Sequence, residues 1–193
     1  MRLHLVRHAT LIVEAAGRRL LIDPQLDPPD LPEPAEVVVQ GVDALVVTRY
    51  DRLDATALRL LPRDVQVACH ATDEDALLRH GFQGVGALGD VVSTGRGFVV
   101  AFPGEPRLYL VGDAGFSEEC RSALDRHRPH VVVADAADPD GVVAIARHAP
   151  AARLVAVLEA HGPQIRADLH QRLHEEDLVE RVSVPEDGSE VPL

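Results

Sequence analysis

The chain has 193 residues, 46% of them hydrophobic, which is enough for one domain with a sizeable core and excludes a disordered chain. Its formal net charge is −12, from 31 acidic and 19 basic residues, and no basic stripe is visible, so nucleic-acid binding is not expected. Aromatic residues make up only 3%, which leaves an aliphatic core with few rings to stack on bases.

No apolar run reaches the roughly 18 residues of a membrane span. The N-terminal stretch is broken by Arg7, His8 and Glu14, unlike a signal peptide. The expected compartment is the cytoplasm. Cys69 and Cys120 stand outside any Cys-x-x-Cys spacing and read as buried, reduced thiols.

In chain order, "LHLV" (3–6), "TLIVEA" (10–15) and "RRLLIDP" (18–24) read as strands, the last two joined by a hairpin turn at "AAGR". "DPQLDPPDLPEP" (23–34) holds five prolines and reads as an irregular surface loop. "DALVVT" (43–48) is a nearly continuous apolar run suited to a buried strand. Asp54 then caps a helix "ATALRLL" that Pro62 ends. "VQVACH" (65–70) is a strand. "TDEDALLRHGF" (72–82) is a helix with Thr72 as N-cap and Gly81 at its C-terminal end. "VGAL", "GFVVAF" and "RLYLV" follow as strands.

The second half alternates. Helices are expected at "SEECRSALDRH", "DGVVAIARHA" and "IRADLHQRLHEE", and strands at "HVVVADA", "RLVAVLEA" and "RVSV", before the turn "PEDG". There is no internal repeat or low-complexity segment. One domain over 1–193 is expected, with two sheets face to face and helices outside.

"LVRHAT" (5–10) and "EAHGP" (159–163) resemble the two histidine elements of the histidine phosphatases. A helix would follow the first histidine there, whereas here a hairpin and a proline-rich loop follow. A stronger resemblance runs in order through "HATLIVEAAGRRLLIDP", "DALVVTRYDRLD", "LYLVGDAG" and "RPHVVVADA". Together these segments resemble the metallo-β-lactamase fold superfamily, in particular its ascorbate-6-phosphate lactonase-like branch of metal-dependent hydrolases. The resemblance implies an α/β (α+β) fold: a four-layer αββα sandwich of two mixed sheets, with the active site at one edge between them.

The same resemblance implies a metal loop of the form Thr-His-x-His-x-Asp-His. This chain has "TRYDRLD" instead. Thr48 matches, Arg49 stands at the first His, Asp51 matches the Asp, and Arg52 stands at the third His. A guanidinium stays protonated and offers no lone pair, so it is a poor ligand. The next family histidine has no counterpart between "GDVVST" and "GFVV". Asp113 matches the bridging Asp, and His161, after Glu159 and Ala160, matches the last His. The usual dinuclear zinc centre is therefore expected to be missing.

Without metals, Asp51, Asp54, Asp113 and Asp23 would repel one another. Arg49 and Arg52 bring fixed positive charge to the same place, and each guanidinium can take a carboxylate in a forked pair. The expected reading is thus a metal-independent protein with no cofactor, binding a small, anionic molecule or catalysing chemistry in the ancestral pocket. His8, Tyr50, Asp113 and His161 would move protons, and Arg49 and Arg52 would hold the anion. The first alternative is a hydrolase with one Zn, Mn or Fe ion on Asp51, Asp113 and His161, acting on an ester, lactone or phosphoester. The second is a non-catalytic, partner-binding protein. His170 and His174 share one helix face, more in keeping with a solvated surface than a metal grip. Oligomeric state and pathway are not readable.

Overall fold

Strand β1 (Arg2–Arg7) turns through His8 into β2 (Thr10–Ala15), and the two pair antiparallel. Ala16 and Gly17, both at positive φ, close a tight hairpin into β3 (Arg18–Ile22). The computed structural model describes residues 1–27, 31–112, 115–157 and 163–191. After the proline-rich segment the chain returns in parallel as β4 (Ala44–Val47), β5 (Gln66–Cys69) and β6 (Gly84–Val85). A last strand, β13 (Ser189–Val191), pairs antiparallel with β1. This seven-stranded sheet runs β13-β1-β2-β3-β4-β5-β6.

The second sheet begins with the antiparallel strands β7 (Val91–Thr94), β8 (Gly97–Val100) and β9 (Leu108–Leu110). It continues in parallel with β10 (Val131–Asp135), β11 (Arg153–Val157) and β12 (Val182–Ser183). Its order is β12-β11-β10-β9-β8-β7.

Alternation along the strands builds three apolar layers. On β10, Val131 and Val133 face the central layer with Leu11, Ile22 and Val46 of the first sheet. Val132 and Ala134 face outward, against Cys120 and Leu124 of helix α4 (Glu118–His127) and Val142 and Ile145 of α5 (Pro139–His148). Leu169 and Leu173 of α6 (Pro163–Glu175) join that outer layer. On the other side, β4 and β5 send Leu45, Val47 and Val67 outward. These meet Val38 of α1 (Ala35–Val38), Ala57 of α2 (Ala55–Leu60) and Leu77 of α3 (Ala71–Arg79). The result is the αββα sandwich of two mixed sheets that the sequence resemblance implied.

Local differences have local causes. The N-cap of α3 is His70, not Thr72, because the helix begins directly after β5. Gly81 sits at φ +88 just past the C-cap His80. "VGAL" pairs only at Gly84 and Val85, with a single bridge from Leu88 to Val91. Helix α1 and strand β13 were not expected, since both are too short to carry a periodic signal. Cys69 and Cys120 are free and buried. No helix among the described residues is long and apolar enough to cross a membrane.

Candidate functional site

The ends of β3 and β4 lie side by side, and each hands one polar side chain to the space between the sheets. Asp23 follows β3 at φ +43, a left-handed conformation that costs a non-glycine residue strain unless local bonds hold it. Here they do. Its amide donates to Val46 O (3.0 Å), and its carbonyl accepts from Thr10 Oγ1 (2.9 Å). The Thr10 hydroxyl in turn accepts from the Gln25 amide (2.9 Å).

The Asp23 carboxylate, 1% exposed by residue, is met from β4's end. Oδ1 accepts from the Thr48 amide (2.6 Å), and Oδ2 accepts from the Thr48 hydroxyl. Arg52 completes the group: its Nη1 donates to Asp23 Oδ2 (2.8 Å) and to Thr48 Oγ1 (2.7 Å). Arg52 is 7% exposed, rare for arginine without a partner. It reaches the pocket because Tyr50–Arg52 form a single 3-10 turn that swings its side chain inward. Burial pushes the Asp23 carboxyl above its ordinary range, while the charge of Arg52 and the hydrogen bonds of Thr48 and Arg52 oppose the rise.

Asp23, Thr48 and Arg52 line one pocket with Gly112 and Asp135, over a floor of Leu11, Ile22 and Val133. The fit of these residues to a metal ion is poor. Among the described residues no group of three or more His, Cys, Asp or Glu side chains comes together. The buried carboxylate already carries a guanidinium, and a divalent cation on Asp23 Oδ2 would face Arg52 at contact distance.

The remaining described residues singled out from sequence lie outside this buried group. Arg49 stays at the surface and forms a forked pair with Asp51, Nε to Oδ1 at 2.9 Å and Nη2 to Oδ2. That pair holds the Asp51 carboxyl below its usual range. Asp54 is a cap: Oδ1 accepts from the Ala57 amide (2.8 Å) and Oδ2 from the Asp27 amide (2.6 Å). Tyr50 bonds through its hydroxyl to His80 Nε2. His8, at φ +53, takes Asp187 Oδ1 on its amide (3.1 Å), and its Nδ1 lies 3.1 Å from Gln25 Oε1. Asp113 and His161 lie outside the described residues. His170 and His174 are exposed on α6.

Beside the buried group opens a polar cleft between the sheets, lined by Arg49, Tyr50, His70, Thr72, Ser93 and Arg96. Ser93 and His70 were missed as a pair from sequence. His70 follows one strand and Ser93 lies on another, and only the stacking of the two sheets brings them together.

No family model matches the chain. It is 24% identical to the UPF0173 protein YddR of Bacillus subtilis, over 97% of this chain and 98% of that protein. It is 29% identical to a UPF0173 metal-dependent hydrolase of Aeropyrum pernix, over 68% of this chain and 69% of that one. Among solved structures it resembles a possible metal-dependent hydrolase from Veillonella parvula, with a TM-score of 0.88 at 20% identity, covering 100% of this chain and 99% of the other. An isothiocyanate hydrolase from Delia radicum gut bacteria aligns with a TM-score of 0.85 at 21% identity over the same shares. Layered architecture and full-length likeness together show that this chain shares the fold of these structures, the αββα sandwich that the sequence resemblance implied.

Proposed function

We propose that this chain descends from metal-dependent hydrolases and that a guanidinium has taken over charge compensation in the old metal pocket. The protein then works without zinc, on a small anionic molecule held in the neighbouring cleft. The observation that carries the reading is Arg52, buried and bonded to both Asp23 and Thr48. A fixed cation of this kind satisfies the carboxylate without any exchangeable ion. Arg49 and Arg96 line the cleft with Asp51 and Asp73, and in this reading the two guanidiniums receive the anion.

A melting-temperature screen of EDTA-treated protein against small carboxylates and phosphates tests the binding half. At least one such anion should raise the melting temperature, and Arg49→Ala should reduce the rise. A flat response across the panel contradicts the reading.

A second reading is favoured by the comparisons. The Aeropyrum pernix relative is named a metal-dependent hydrolase and the Veillonella parvula neighbour a possible one. In that reading one metal ion sits on Asp51, Asp113 and His161, and the chain hydrolyses an ester, lactone or phosphoester. Asp51 would first have to leave its forked pair with Arg49.

A further inference from the structure

We propose that Ser93 and His70 form a nucleophile–base pair that hydrolyses small anionic esters in the cleft between the sheets. The inference rests on the reading that this site works without metal, and it names the chemistry.

Ser93 Oγ lies 3.3 Å from His70 Nδ1, although 23 residues separate them in sequence. They come from different sheets. His70 follows β5 in the first, and Ser93 is an exposed residue of β7, the edge strand of the second. The His70 ring packs on Phe98, with centroids 4.5 Å apart, and this fixes the ring plane. Its Nε2 is buried with no hydrogen-bond partner, so the ring's polar contact is with Ser93.

Two features around the pair suit acyl transfer. His70 is the N-cap of α3 and no side chain caps that helix. Ala71 and Thr72, whose first-turn amides have no acceptor inside the helix, both line the cleft. Such amides suit the oxyanion of a tetrahedral intermediate. Arg49 and Arg96 stand on the same cleft, Arg49 in its forked pair with Asp51, and a carboxylate or phosphate elsewhere in the ester competes with that acid for the guanidinium. The acids there are engaged: Asp51 by Arg49, and Asp73 by the Tyr50 amide at 3.2 Å.

The steps balance with water as the only co-reactant. His70 Nδ1 takes the Ser93 hydroxyl proton as Oγ bonds to the acyl carbon. The carbon–oxygen bond to the leaving group breaks, and the leaving alkoxide takes the proton from His70. Water then attacks the acyl-serine. Its proton passes through His70 back to Ser93 Oγ, releasing the acid. The working tautomer carries its hydrogen on the unpartnered Nε2. The pair therefore lacks the orienting carboxylate of a triad, and slow turnover is expected.

The test uses the full chain in EDTA. A fluorophosphonate probe should leave one adduct, located on Ser93 by peptide mass spectrometry, and His70→Gln should abolish it. Hydrolysis of a p-nitrophenyl ester bearing a free carboxylate should fall by roughly 100-fold or more in Ser93→Ala, the usual scale of a lost acid–base or nucleophilic group. An unlabelled Ser93 in the wild-type chain, or an unchanged rate in Ser93→Ala, overturns the proposal. Activity that vanishes in EDTA overturns the metal-free reading instead. Activity that survives both EDTA and Ser93→Ala removes only the pair.

Discussion

Arg52 Nη1 stands 2.8 Å from Asp23 Oδ2, with the two side chains 8% and 2% exposed. The pair joins the ends of β3 and β4 inside the pocket between the sheets. Thr48 completes it, its hydroxyl donating to the acid and accepting from the guanidinium. Water has little access there, so neither charge can be removed without leaving the other uncompensated.

Arg52→Met should therefore destabilise the chain by about 3–5 kcal/mol at neutral pH, the usual cost of breaking one side of a buried ion pair. Adding Asp23→Leu to Arg52→Met should restore part of that loss, because the stranded carboxylate goes with it. Urea unfolding of the two single variants and the double variant measures this. Additive losses would contradict the coupling.

The cost of Arg52→Met should also depend on pH. Burial raises the folded pKa of Asp23 above its ordinary 3.8, and Arg52 holds the rise down. Between 3.8 and the folded value, the native state binds the proton more tightly than the unfolded chain does. The stability linked to this proton is full below that window and lost as pH rises through it. Without Arg52 the window extends further up. The variant's penalty should be small in acid and grow toward neutrality. Denaturant midpoints at several pH values check this, and a pH-independent penalty counts against it.

Thr48→Val keeps the side-chain shape but deletes the hydroxyl between Asp23 and Arg52. The Thr48 amide still reaches Asp23 Oδ1. A loss of about 1–3 kcal/mol is expected, since two buried charged groups each lose one hydrogen bond. The same unfolding assay reads it.

Burial pushes the Cys69 thiol up to about 12 and the Cys120 thiol to about 11. The thiolate is the reactive form. Neither cysteine should react with a disulfide reagent in the native chain at neutral pH, and both should react in guanidinium. Fast native labelling of either would show that its outer apolar layer opens readily.

The layers were legible because they rest on period-two runs such as "HVVVADA", in which alternate residues feed two different apolar layers. The charge chemistry was only half legible. "TRYDRLD" announces two arginines where lone-pair donors would be expected, but both look alike in sequence. A single 3-10 turn makes the difference: it buries Arg52 on Asp23 and leaves Arg49 outside with Asp51. The Ser93–His70 contact had no local signal at all, because it depends on how the second sheet stacks over the end of β5. Helix α1 and strand β13 were invisible for a simpler reason: four and three residues hold too little pattern.

Elemental analysis of the chain, purified without chelator and then dialysed against buffer containing zinc, manganese or iron, tests the central claim most directly. The proposed reading, in which Arg52 compensates Asp23, predicts bound metal far below one equivalent. Stoichiometric uptake of any of these ions by the wild-type chain would contradict it.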